Sequence, residues 1–433
     1  MKKAVAAALI AVMMVALAAC DNFNRELKPD IEYYLSHTPV DSWGGLAAAV
    51  AAVPPGGSTI IAVMRDIAVT APVTISGGRN ITVELYRSTR EAVIRRGADF
   101  TGAFFDIQSG QLVLGGGEYG TPALDGGAAW NAEHTANSGL SAEAPLVTVA
   151  AAGALTVASG AVLRNNVNTN AGDSFGGGIY VSGGAFTMNG GTITGNNGDN
   201  GGGVQVAGGS FTMYGGNIAG NITGDGGIGG GVFLSFSSFI MHNGNIADND
   251  GTRGGGIYVA GGSFTMDGGN IRGNTAAGSG NRGGGVCLSQ CSFTMDGGNI
   301  SDNAGDWGGG AYVDNGCSFT MTDGEIGGNT ATGGTNGGGV FVSNGNNAVF
   351  SKSGGTIYGD SNGDSDTTHT PGSTENTATG GSGHAVYLGG GAKKRNDDAD
   401  PSVTLYARYV SPTGWTYVDL EAGGLGDTEL HWQ

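Results

Sequence analysis

The sequence is poor in charge, proline and cysteine. Of its 433 residues only 13% are charged, 10 are Pro and 4 are Cys. A disordered chain has the opposite balance, rich in Lys, Glu and Pro, so a chain that is 39% apolar is expected to fold. Basic residues are scarce: 19 Lys and Arg stand against 37 Asp and Glu, a net charge of −18. That excludes a nucleic-acid backbone as partner, because such a contact needs concentrated positive charge. Glycine is what the chain has in excess, 88 residues, about three times the usual share. Their spacing is too irregular for collagen triplets. A helical domain is disfavoured as well, since each helical Gly costs about 1 kcal/mol relative to Ala. The length allows two or three domains unless repeats build one elongated body.

The first twenty residues, MKKAVAAALIAVMMVALAAC, place Lys2 and Lys3 before an apolar run from Ala4 to Ala19. The run is short for a membrane span and ends in small residues, the pattern of an export signal. Leu17-Ala18-Ala19-Cys20 resembles the lipobox of bacterial lipoproteins. The resemblance implies a signal peptide over 1–19, cleavage before Cys20, and lipidation of Cys20 as the membrane partner. Loss of Lys2 and Lys3 leaves 17 basic residues against 37 acidic ones, a net charge of −20. So acidic a body would stand off an anionic membrane surface. The expected location is the outer membrane or cell surface in preference to the inner membrane.

A repeat organises the rest. GGG before an apolar triplet recurs at Gly176, Gly201, Gly229, Gly254, Gly283, Gly308 and Gly337, with spacings of 25, 28, 25, 29, 25 and 29. Each unit holds three short alternating stretches, such as IYV, FTM and TIT, none long enough for a helix. Strands this short gain stability by stacking on their copies about 4.8 Å away, which selects an all-β, three-sided parallel β-helix. Alternation points Phe186, Phe211, Phe239, Phe264, Phe293 and Phe319 inward, with Met188, Met213, Met241, Met266, Met295 and Met321 beside them. Asn196, Asn221, Asn249, Asn274, Asn303 and Asn329 follow the third strand of successive coils and are expected to form a structural ladder of stacked amides. Length varies only just after that ladder, which makes this corner the expected binding edge.

The expected organisation is a tether over 20–41, an N-terminal cap over 42–58 containing the helix-like run Ser42–Val53, a β-helix of about twelve coils over 59–388 with clear repeats at 176–388, and a C-terminal coil or cap over 389–433. The cap would cover a strand edge that otherwise invites association, and a monomer is expected. The outward row Tyr180, Gln205, Phe233, Tyr258, Cys287, Tyr312, Phe341 and Tyr387 is expected either to stack on a sugar or a protein partner or to stack on itself. Thr187, Thr212, Thr265, Thr294 and Thr320 form a second outward row. Cys291 and Cys317 each precede SFTM, so they fall at one level of adjacent coils, within disulfide range in an oxidising compartment.

The recurrent GGGI or GGGV with FTM and GGTI resembles the Gly-rich repeats of bacterial surface β-helix proteins, including those related to chlamydial polymorphic outer-membrane proteins. The match covers roughly 147–390, with FxxN intact only at Phe186 to Asn189. It implies a right-handed helix and a non-catalytic role in adhesion or binding of carbohydrate or a host or matrix protein. The same fold, that of pectin lyases, also carries polysaccharide lyases and glycoside hydrolases, the alternative reading. The polygalacturonase pattern of NTD, DD, GHG and RIK is not met: Asp397-Asp398 stands alone and His384 lies in GHA. A lyase needs a basic residue beside calcium-binding carboxylates, whereas Arg253, Arg272 and Arg282 are scattered. No catalytic residue and no resident cofactor are therefore expected. In GDSNGDSDT, Asp360, Asn362, Asp364 and Asp366 could converge oxygens on Ca²⁺. The sixth-position Gly and twelfth-position carboxylate of an EF-hand loop are missing there, so a solvated acidic loop is the favoured reading.

Overall fold

The computed structural model describes residues 36–86, 92–117, 120, 122–127, 144–168, 175–276, 280–333, 337–343, 348–358, 376–378 and 386–388, and the backbone of a hairpin, Ala407–Ser411 with Gly414–Val418. The leader, Cys20, the 360–366 calcium candidate, His384 and Asp397-Asp398 lie outside the described residues.

The chain is a parallel β-solenoid of about nine turns with almost no helix. The sequence predicts about twelve, so the coil count is lower than expected; His37–Val40, upstream of the predicted coils, adds a strand that pairs in parallel with Ser58–Val63. At the strand spacing of sheets, nine turns make a stack about 43 Å long.

Three walls run the length of the stack. The first contains Ile179–Ser182, Val204–Ala207 and their copies, in register Ile179↔Val204↔Val232↔Ile257. The second contains Ala185–Met188 and Ser210–Met213, in register Phe186↔Phe211↔Phe239↔Phe264. The third contains Thr192–Thr194 and Asn217–Ala219. A fourth, shorter side departs from the three-sided expectation. Val167–Asn168, Asn197–Asn200 and Ile222–Ile228 pair as one small sheet, and Thr275–Ala276, Ala304–Gly305, Thr330–Ala331 and Thr377–Ala378 as another. The variable corner thus begins with paired backbone before its length diverges.

Alternation places the core inside the coil. Phe186, Phe211, Phe239, Phe264, Phe293 and Phe319 stack with centroids 4.3–4.9 Å apart and nearly parallel planes. Each such pair contributes about 0.5–1.5 kcal/mol beyond its burial. The Met column beside them is fully buried, so it is core. The GGG triplet has one requirement per residue. Gly254 adopts φ +63°; a Cβ on Gly255 would lie 2.3 Å from the Thr275 carbonyl oxygen; one on Gly256 would lie 3.0 Å from Asn274 Nδ2. Left-handed backbone, contact with the next coil and contact with the ladder together exclude every larger residue.

At the N-terminal end, helix α1 (Trp43–Ala52) closes the stack. Ser42 Oγ caps it by accepting from the Gly45 N–H at 3.2 Å. Trp43, Leu46 and Val50 are buried, and Trp43 Nε1 donates to the Ala71 carbonyl at 2.6 Å. The Trp43 ring meets Phe105 edge-on at 5.5 Å.

Candidate functional site

The asparagines form a fully buried ladder. Asn196, Asn221, Asn249, Asn274, Asn303 and Asn329 are all at 0% exposure, as are Asn166 before them and Asn376 after them. Each Nδ2 from Asn196 to Asn329 donates to the Oδ1 of the next coil's Asn at 2.9–3.1 Å. Each also donates back to a third-wall carbonyl of the preceding coil, as Asn274 does to Ile246 at 2.9 Å. Every internal rung is therefore tied in both directions, a structural duty that leaves no amide facing a ligand. At the N-terminal end Arg96 Nη2 donates to Asn166 Oδ1 at 2.8 Å, standing where a preceding amide would be. Arg96 lies over Phe104 at 5.0 Å, and burial lowers its pKa to about 10. Nothing in VIRR marks this Arg as the ladder's cap, because its partner is 70 residues away.

The outward row of the first wall is not an open platform. Phe233, Tyr258, Cys287 and Tyr312 are buried, forming a second small core outside the coil, and Tyr180 and Phe341 are half-buried. Tyr387 pairs with Phe341 through its backbone, its side chain lying outside the described residues. The cover comes from the residue before each GGG: Ile228, Arg253, Arg282 and Trp307 bridge in parallel from coil to coil. Arg282 lies 5.2 Å from the Trp307 ring centre and 4.9 Å from that of Tyr312, and pairs with Asp314 at 3.2 Å. Tyr312 stacks on Phe341 at 5.2 Å. Burial pushes the Tyr312 hydroxyl up to about 12, and raises Tyr258 and the Cys287 thiol. Self-stacking is thus the arrangement adopted. The scattered arginines of the sequence have a place in it, which spacing alone does not disclose. Gln205 interrupts the row, its buried Oε1 without a hydrogen-bond partner among the described residues.

Apart from Met64, the exposed large apolar side chains fall on the second wall and at its two ends. Tyr214, Phe236 and Ile240 are exposed at 54%, 76% and 38%. Phe236 and Ile240 occupy a single coil within Val232–Met241, and Tyr214 follows Met213 in the coil below. Ile240 stands in register with Thr212 and Thr265, replacing the outward Thr. Its own column is otherwise Thr187, Thr212, Thr265, Thr294 and Thr320, and a second in-register hydroxyl column, Ser210, Ser238, Ser263, Ser292 and Ser318, runs beside it. Tyr214 stacks on His242 at 4.8 Å, and His242 Nδ1 lies 2.7 Å from Asp267 Oδ2.

Phe236 has a feature that exposure alone does not explain. It turns the corner between the first two walls at φ 48°, where the coils on either side use Gly208 at 69° and Gly261 at 77° and the next one Gln290 at 52°. A bulky residue in left-handed backbone costs about 1–2 kcal/mol, and a ring this open recovers little of that by burial. Strained, exposed residues cluster at functional positions. The surface offers aromatic rings and uncharged hydroxyls, suited to stacking and neutral hydrogen bonding. Nothing in SFSSF singles out Phe236, because alternation marks only the inward Phe239.

Cys291 and Cys317 meet as the alignment of the repeats places them. They are thiols in this structure, with sulfurs 3.9 Å apart. No family model, curated protein or solved structure matches the chain, so the geometry of the solenoid carries the functional reading.

Proposed function

We propose that the protein is a lipid-anchored, non-catalytic scaffold of a bacterial envelope, similar in design to Gly-rich surface β-helix repeats. The second wall together with the Phe236 corner beside it is the binding face, suited to an uncharged glycan or a matrix-protein surface. The observation that carries this reading is Phe236, an open aromatic ring held in strained backbone on a face of neutral hydroxyls. The parallel stack supplies rigidity, and lipidation at Cys20 supplies the anchor.

The test is a binding screen of neutral glycans and matrix proteins against the mature protein, followed by Phe236→Gly and Tyr214→Ala. Phe236→Gly should weaken binding at least tenfold while raising or preserving thermal stability, because glycine relieves the left-handed strain. Unchanged affinity in both variants would remove the second wall as the site. Turnover of acidic polysaccharides by the same preparation would replace the scaffold reading with the lyase or hydrolase one. Cys20→Ser should release the protein from the membrane fraction.

A further inference from the structure

We propose that Cys291 and Cys317 are an oxidation site that staples two neighbouring coils, closed by exchange with a donor disulfide while the chain folds, and that Cys287 is left out as an inert thiol. The two cysteines occupy consecutive positions of one corner column, Gly209, Ser237, Gly262, Cys291, Cys317 and Ala348, one residue before the in-register second-wall strands. The column admits only small side chains, which accounts for residues of cysteine's size but not for two thiols in succession. Their sulfurs lie 3.9 Å apart, and the Cys291 N–H points at Cys317 Sγ from 3.5 Å. Closing the bond requires the sulfurs to approach to about 2.05 Å, a movement within reach of side-chain rotation.

The surroundings decide when the bond forms. Cys291 is 7% exposed and Cys317 1%, and the next coil lies over them, Val349 N–H donating to the Cys317 carbonyl at 2.9 Å. A disulfide donor of any size cannot line up on either sulfur once that coil has docked, so exchange belongs to folding. One cysteine thiolate attacks a sulfur of the donor, breaking its S–S bond and releasing one donor thiol. The second thiolate then attacks the protein sulfur of the mixed disulfide and releases the other donor thiol. Two cysteine thiols are oxidised, one donor disulfide is reduced, and the two protons end on the donor thiols. The Cys291 S–H, and to a lesser degree its N–H, directed at Cys317 hold that thiol below the ordinary range, while the same contact and then burial push Cys291 up. Cys287 is 2% exposed within the aromatic outer core, where burial keeps its thiol protonated.

The experiment uses the reduced full chain in two arms, refolded with oxidised glutathione or treated with it after folding, each mapped by peptide analysis without reductant. Refolding should give the Cys291–Cys317 crosslink with Cys287 as thiol, and the folded protein should react at least tenfold more slowly. Protein exported by cells and mapped directly gives the same reading should refolding in vitro fail. Cys287→Ser should leave the crosslink unchanged and Cys317→Ser should abolish it. Finding both cysteines alkylated after refolding and in exported protein would overturn the staple; crosslinking at equal rates in the two arms would overturn its timing.

Discussion

Replacing Asn274 by Ala removes one rung from the middle of the amide ladder. Asn274 Oδ1 accepts from the Asn249 backbone N–H at 3.0 Å and from Asn249 Nδ2 at 2.9 Å. Its Nδ2 donates to the Ile246 carbonyl and to Asn303 Oδ1, both at 2.9 Å. After truncation Asn303 Oδ1 keeps the Asn274 backbone N–H, and Asn249 Nδ2 keeps the Ile218 carbonyl. The Asn249 N–H and the Asn274-facing side of the Ile246 carbonyl are left without these partners in a fully buried site. At about 1–3 kcal/mol for each orphaned group, the loss is about 2–6 kcal/mol. Asn274→Asp should be at least as harmful at neutral pH, because a carboxylate cannot donate to either acceptor, and should recover toward acid as the protonated group regains a donor. Asn245→Ala is the control. Asn245 sits in a second amide row, Asn217, Asn245, Asn270 and Asn299, linked at 2.9–3.1 Å on the outward face of the third wall. Water can replace those contacts, so the change should stay within about 0.5 kcal/mol. The measurements are the denaturant midpoint and hydrogen exchange at the Asn249 amide, which should lose protection in Asn274→Ala but not in Asn274→Asp, whose carboxylate still accepts from it. Equal losses at the two positions, or a protected Asn249 amide in Asn274→Ala, would refute the idea that burial sets the ladder's worth.

Two further outcomes follow from geometry already described. Tyr312 is neutral when protonated and its pKa rises from 10.0 to about 12 on folding. Its contribution to stability is therefore complete below pH 10 and is lost as pH climbs through 12. Phenolate absorbance should show a late phase from Tyr312 and Tyr258, and Tyr312→Phe should delete part of it; the absence of a late phase would contradict the buried outer core. Gly255→Ala should destabilise by about 1–3 kcal/mol, because its Cβ would press on the Thr275 backbone of the next coil. Gly224→Ala, where nothing lies within 4 Å and no positive φ is required, should be nearly neutral by the same denaturation assay.

Features that repeat along the chain are legible in the sequence, because each residue's neighbours are its own copies one period away. That is why period and alternation suffice to name the Phe, Met and Asn columns. Side chains whose partners lie off the period are not legible. Arg96 finds Asn166 across 70 residues, and Arg282 acquires its role only because the chain folds back over the first wall. The aromatic row shows the limit of alternation: period two separates inward from outward, but outward is not exposed when a fourth side covers it. Phe236 escapes for the complementary reason. Its significance lies in a backbone angle, and a corner position that holds Gly, Gln or Phe has no apolar rhythm to reveal it.

The direction of the ladder has a consequence for how the rod can change length. Each internal Asn offers its Nδ2 forward and receives at Oδ1 from behind, so a coil is completed only by its successor. Cutting the stack anywhere exposes the same two groups, one donor side and one acceptor side, whatever number of coils remains. The cost of ending the rod is therefore fixed, and whole units can be inserted or deleted between Arg96 and Asn376 without altering it. Such a body can be lengthened or shortened by unequal recombination in steps of one coil, setting how far a binding face stands from its anchor.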